Sequence, residues 1–238
     1  MSRDGSELIE CDPSTGCKQP SKHQQRSTSH SNRNRLQDLI RKYALRQRPL
    51  AARANDEYRP CPYVPTPQPI LDAVLSRIAV RNTDVFIDLG CGDGRLAIAV
   101  AEHYGCRAIG IEYDERILSK ALQGQASLRQ RNEAAARRLC FFKHDFFAPE
   151  IENILGEATI VWLFLTPRVQ RRLLPVLLSS LKVGARIICY VFPLETSPDA
   201  VIDVSDVIPN HQLTLVYVHT VTAELKQSTE HDGNRHIF

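Results

Sequence analysis

The sequence predicts one doubly wound α/β domain holding a seven-stranded sheet, mostly parallel with an antiparallel edge strand. Three observations carry this. Strand-length apolar runs alternate with helical apolar stripes from Pro67 onward. Most of those runs are apolar almost throughout, as in a parallel sheet covered on both faces. The last two runs have no helix between them, which marks an antiparallel pair at the edge of the sheet.

The elements follow in order. Arg59–Pro69 carries prolines that fix φ and remove backbone donors, so it is a loop. It leads into a helix, with Thr66 expected as N-cap and Pro67 at the first helical position. Ile70, Leu71, Val74, Leu75 and Ile78 share one face of that helix. Val85–Leu89 is the first strand, followed by a helix over Arg95–Tyr104 with Leu96, Val100 and Tyr104 on one side. Arg107–Ile111 is the second strand. The helix from Asp114 turns Ile117, Leu118, Ala121 and Leu122 inward. Leu139–Lys143 and Ala158–Leu165 are the third and fourth strands. Pro167–Leu181 is a helix with a kink expected at Pro175, and Ala185–Phe192 is the fifth strand. Val201–Ile208 and Gln212–Thr220 complete the sheet, joined by a turn at Pro209-Asn210.

Four segments result. Residues 1–32 are polar, with Leu8 and Ile9 as their only large aliphatics, too little apolar surface to offset ordering entropy. This basic, polar tail is expected to be disordered. Residues 33–58 form a basic arm or linker, with Leu36, Ile40 and Tyr43 on one helical stripe. Residues 59–225 are the folded domain, and 226–238 a flexible C-terminal tail. Between Lys18 and Arg53 ten Lys or Arg residues face the single acid Asp38, although the whole chain carries only +3. Residues 18–53 are therefore a candidate contact for nucleic acid or another anionic surface. No transmembrane segment or secretory signal is expected. Seven cysteines without a C-x-x-C pair argue against a disulfide framework and against a zinc site. A reducing intracellular compartment is expected, cytoplasmic first, with mitochondrion and nucleus as alternatives.

The chemistry concentrates after the first strand, in Asp88-Leu89-Gly90-Cys91-Gly92-Asp93-Gly94-Arg95. Glycines there permit positive φ and close backbone approach, and the following helix offers unpaired N–H groups. A Rossmann-like dinucleotide loop wants G-x-G-x-x-G/A, but the sixth position here is Arg95 and Gly94 comes one residue early. Asp88 would repel a pyrophosphate and attract the α-ammonium of S-adenosylmethionine. That cofactor is the expected ligand. Glu112 ends the second strand at the offset where an acid grips both ribose hydroxyls, with Tyr113 beside it. Asp145 is placed to accept from an adenine amino group, and Phe146 to cover the ring.

The glycine loop, Glu112 and Asp145 together resemble the cofactor motifs of class I S-adenosylmethionine-dependent methyltransferases, over roughly residues 60–220. Pro62-Tyr63-Val64-Pro65-Thr66-Pro67 resembles the loop preceding the first core helix in a small protein-lysine methyltransferase group. That group includes bacterial proteins and the mitochondrial enzymes acting on ATP synthase subunit c and the adenine nucleotide translocase. Non-SET histone-lysine methyltransferases are distantly similar. Val161–Pro167, Leu181–Ile188 and Phe192-Pro193 resemble the same group, which implies that Leu165-Thr166-Pro167 borders the site of methyl transfer. The mitochondrial members carry an apolar targeting segment ahead of the domain, and residues 1–58 contain none. No Asn/Asp-Pro-Pro-aromatic sequence follows the fourth strand, which counts against base-amine methylation.

A protein lysine is therefore the expected acceptor. Tyr63, Thr66, Thr166 and Phe192 are expected around a channel leading to it, with Tyr63, Thr66 and Thr166 as candidate catalytic residues. The expected cofactor-binding set is Tyr63, Asp88, Gly90, Cys91, Gly92, Gly94, Glu112, Tyr113, Asp145 and Phe146. Two alternatives stay open: an RNA or small-molecule methyltransferase on the same fold, and a noncatalytic binding module working through the basic arm.

Overall fold

A computed structural model of the chain describes residues 61, 63–208 and 214–232, with side chains through Gln227 in the last helix. The expected tail 1–32, the arm 33–58, the turn at Pro209-Asn210 and residues 233–238 lie outside the described residues.

Seven strands form one sheet in the order β3-β2-β1-β4-β5-β7-β6. They are β1 (Val85–Leu89), β2 (Arg107–Glu112), β3 (Leu139–Lys143), β4 (Ile160–Leu163), β5 (Arg186–Tyr190), β6 (Ala200–Asp203) and β7 (Leu215–Thr220). The first five are mutually parallel. The expected final pair is present. Strand β7 is antiparallel to both β5 and β6, so it lies one place in from the edge and β6 is outermost. Strand β6 stops at Asp203 rather than reaching Ile208. The Asp203 carboxylate accepts the Ser205 N–H at 2.8 Å, and Val207 N–H bonds back to Val204 O, which turns the chain off the sheet.

Because side chains alternate across a strand, the sheet has two distinct faces. Ile87, Leu89, Ile109, Ile111, Val161, Leu163, Ile187 and Cys189 point one way. They pack against α5 (Ile151–Leu155) and α6 (Pro167–Ser180) through Ile151, Leu155, Val169, Leu173 and Leu177. The opposite face carries Phe86, Asp88, Ala108, Gly110, Ile160, Trp162, Ile188 and Tyr190. Helices α1 (Gln68–Arg77), α2 (Arg95–His103) and α3 (Glu115–Arg131) cover that side, with α4 (Glu133–Ala136) closing its end.

Three local expectations change. Helix α1 begins one residue late, with Pro67 as N-cap and its carbonyl accepting from Ile70 and Leu71 N–H; Thr66 makes no cap and is buried instead. In α3, Leu118 and Ala121 are buried, but Leu122 is 47% exposed. The inward stripe continues through Gln125 and Leu128, at helical spacing from Leu118 and Ala121. Helix α7 (Ala223–Asp232) crosses position 226, where the sequence places the end of the domain. Leu225 packs on the core and Lys226 Nζ donates to Leu181 O at 2.7 Å. Among the described residues no helix is long and apolar enough to cross a membrane.

Candidate active site

Asp88 is the last inward-turned residue of β1 before the glycine loop. Its register partners are Gly110 on β2 and Trp162 on β4, so it stands between a residue with no side chain and the largest in the chain. Its carboxylate is 4% exposed, faces a cavity of about 180 Å³ and takes no hydrogen bond from the described residues. Burial first, and then the nearby Glu112 and Asp93 carboxylates, push the Asp88 pKa up to about 8.

The loop bends over this carboxylate at Gly90–Gly94. Gly90 and Cys91 N–H both bond to Ile111 O, at 2.8 and 3.0 Å, which splices the loop to the end of β2. Gly92 has φ +57, and a Cβ there would stand 2.4 Å from Tyr63 Cε2, so the tyrosine ring lies on bare backbone. Gly94 has φ +75, and a Cβ there would meet Phe141 Cζ at 2.4 Å and Ala121 Cβ at 2.8 Å. Gly94 thus keeps α2 and α3 close to the sheet and is not among the residues lining the cavity.

Glu112 is half-buried at the end of β2. Its Oε2 accepts the Gly92 N–H at 3.0 Å and its Oε1 the Asp114 N–H at 2.9 Å. Burial raises its pKa more than those N–H groups lower it. Tyr113, 60% exposed, lies at the rim. Asp145 follows β3, with Oδ1 accepting from Phe147 N–H at 2.9 Å. Phe146 and Phe147 meet edge to face at 4.9 Å, and Phe147 carries the Arg172 guanidinium on its ring at 4.1 Å.

The cavity brings together Tyr63, Thr66, Asp88, Gly90, Cys91, Gly92, Glu112, Tyr113, Asp145 and Phe146. Its charged lining is mostly acidic, from Asp88, Asp93, Glu112, Asp114 and Asp145, with Arg95 as the cation among them. Its apolar lining comes from Cys61, Val64, Leu71, Trp162, Phe164 and Leu165, with Trp162 directly beside Asp88. Behind it, Tyr190 stacks on Trp162 at 5.9 Å and meets Phe164 edge-on at 4.8 Å. Thr166 and Phe192 are not lining residues. Thr166 is the N-cap of α6, and Phe192 is buried with its carbonyl accepting from Gln170 Nε2 at 3.1 Å.

Sequence reasoning missed Asp93 and Arg95 as site residues. Arg95 Nε and Nη2 donate to the two Asp93 oxygens at 2.9 and 2.5 Å, and Nη1 donates to Thr66 O at 3.3 Å. The Tyr63 hydroxyl lies near both residues; burial and then the Asp93 carboxylate push its pKa up to about 12. Burial alone would raise the Asp93 carboxyl, but bonds from Arg95 and Tyr63 outweigh it and hold the carboxyl below its ordinary value. The available signal was an arginine opening a helix, where its charge opposes the helix dipole unless an acid sits beside it.

Residues 88–200 match the ANTKMT methyltransferase domain family. A protein-lysine N-methyltransferase of Saccharolobus islandicus is 33% identical over 159 residues, covering 66% of this chain and 93% of that protein. An adenine nucleotide translocase lysine N-methyltransferase of Mus musculus is 33% identical over 143 residues, covering 59% of this chain and 58% of that one. Among solved structures, an RNA methyltransferase from Salinibacter ruber in complex with S-adenosyl-L-homocysteine is 34% identical. It covers 67% of this chain and 95% of its own, with a TM-score of 0.56. The chain belongs to this family of class I S-adenosylmethionine-dependent methyltransferases.

Proposed function

We propose that the protein transfers methyl groups to the ε-amine of a protein lysine, holding S-adenosylmethionine in the cavity between the glycine loop and residues 61–67. The observation that carries the cofactor assignment is Asp88. A nearly buried carboxylate with no hydrogen-bond donor among the described residues is costly unless a cation completes it. The α-ammonium of the cofactor is such a cation, and a pyrophosphate would worsen the repulsion among Asp88, Asp93 and Glu112. When bound, the cofactor supplies an electrophilic methyl group on a sulfonium. Glu112 is assigned to the ribose hydroxyls, Asp145 to the adenine amine and Phe146 to the ring face. Gly90, Cys91 and Gly92 provide the close backbone floor, and Tyr63 the cover.

Support for lysine comes from the Saccharolobus and mouse relatives and from the apolar part of the cavity lining. A lysine must lose its proton before it can attack, at a cost of about 5 kcal/mol at pH 7. The wall of Val64, Leu71, Trp162, Phe164 and Leu165 excludes water and disfavours the ammonium form, which lowers that cost. No base is assigned; positioning and desolvation are this chain's contribution. Tyr63 and Thr66 are the polar groups left at that wall to orient the amine, while Thr166, at the head of α6, lies farther out.

The Salinibacter relative, an RNA methyltransferase by description, supports a second reading in which RNA is the acceptor. The basic stretch 18–53 would then contact the substrate backbone; for a protein acceptor it would steer an acidic partner. Tritiated S-adenosylmethionine in a cell extract separates the two. Label that survives nuclease, is released by protease and is recovered as methyl-lysine supports the first reading. Label removed by nuclease overturns it.

A further inference from the structure

Residues 63–66 and the glycine loop line the same cavity and meet where the Tyr63 ring rests on Gly92, so the first can cover a ligand whose floor is the second. Pro62, Pro65 and Pro67 have no N–H to donate, so the covering loop cannot be stitched down as a strand would be. Its attachments run instead through side chains. Cys61 Sγ reaches Phe164 O at 4.0 Å, and the Tyr63 ring rests on Gly92. The Arg95 guanidinium spans from the Asp93 carboxylate to Thr66 O, with the Tyr63 hydroxyl nearby. One planar group with five donors therefore ties the Thr66 end of the cover to the floor.

We infer that Arg95 is a positioning residue for methyl transfer: with Asp93 it latches residues 63–67 over the cofactor, and unlatching sets how fast the spent cofactor leaves. The inference rests on the cofactor site proposed above. Arg95 opens α2, where a cation is unfavourable and only the Asp93 fork offsets the helix field. The pair is partly exposed, with side chains 37% and 21% accessible, so the latch is reversible rather than a fixed core contact. Lysine in place of Arg95 would keep the charge but lose the fork, and could not hold Asp93 and Thr66 together.

Trp162, the single tryptophan, lines the cavity and reports on it. The experiment follows Trp162 fluorescence by stopped flow while S-adenosyl-L-homocysteine is displaced from full-length wild type, Arg95→Ala, Arg95→Lys and Asp93→Asn. Urea midpoints of the ligand-free proteins are measured in parallel. The expected result is release about five- to tenfold faster in all three variants, the scale of one charge-assisted fork. Arg95→Lys should not restore the wild-type rate. If Arg95→Ala does not fold, Asp93→Asn tests the same latch from its other side. Wild-type binding with release rates within twofold in every folded variant overturns the latch and leaves the cofactor site standing. Faster release that tracks the loss of urea stability, and is cured by Arg95→Lys, also overturns it. Absence of wild-type binding, checked by calorimetry, overturns the cofactor reading and the latch with it.

Discussion

Glu112 holds Gly92 by a bond from the Gly92 N–H to its Oε2 at 3.0 Å, twenty residues along the chain and across one strand of the sheet. The acid assigned to the ribose thus also sets the height of the glycine loop. Glu112→Ala removes both functions. Each charge-assisted hydrogen bond contributes about 1.5–3 kcal/mol, so S-adenosylmethionine affinity should fall by about 100-fold or more. Titration calorimetry reads this directly, and a variant binding within a few-fold of wild type would remove Glu112 from the ribose.

Asp88 makes cofactor binding depend on pH. Its folded pKa, about 8, stands above the ordinary 3.8, so the folded chain holds a proton that the unfolded chain releases. Its contribution to ligand-free stability is full below the ordinary value and is lost as pH rises through about 8. Pairing with the cofactor's ammonium expels that proton. Affinity should rise with pH by up to about tenfold per unit between about pH 5.5 and 7. Calorimetry in buffers of different ionisation enthalpy should find close to one proton released per ligand. Asp88→Asn should abolish the release, and wild type releasing none would contradict the assignment.

Gly92→Ala tests the contact between the covering loop and the floor. The added Cβ would overlap the Tyr63 ring at 2.4 Å, and φ +57 costs an alanine about 1 kcal/mol. The expected outcome is a thermal midpoint lower by a few degrees, together with loss of cofactor binding. Adding Tyr63→Ala should recover part of the stability without the binding, because the cover is then gone.

Val191 is a β-branched residue at φ +72, immediately after β5, and Phe192 N–H bonds back to Tyr190 O at 2.9 Å across it. This is a γ-turn of the strained hand. Valine tolerates that backbone poorly, so Val191→Gly should leave chemical stability unchanged or raise it by about 1 kcal/mol. A loss of more than about 2 kcal/mol on urea unfolding would mean that the valine side chain, rather than the turn, matters there.

The parallel core was legible because its strands are nearly all apolar and its helices keep a strict stripe; β1, β2 and β3 begin where the pattern begins. The placement of Asp88, Glu112 and Asp145 at the cavity was legible because each lies in or just past the last residues of a parallel strand, at the end of the sheet where such folds bind ligands. What could not be read was contact between segments distant in sequence. Arg95 looked like a failed glycine position and proved to be paired with Asp93 and Thr66. Thr66 looked like a helix cap, but its carbonyl was already taken by Arg95. Trp162 looked like an ordinary strand residue, and only the pairing of Asp88 with Trp162 brings it to the cavity. Helix α7 was missed because its polar sequence shows little apolar stripe; among its described side chains Leu225 packs on the core.

Every described residue that walls the cavity lies between Cys61 and Leu165, whereas β5, β7 and β6 are synthesised afterwards and β7 inserts between two earlier strands. On the ribosome, the ligand cradle can therefore emerge whole while the sheet still has a bare flank at β5. During that interval the flank is the vulnerable part of the nascent chain. Mutations after residue 185 should accordingly reduce the yield of intact protein more readily than they alter its grip on the cofactor.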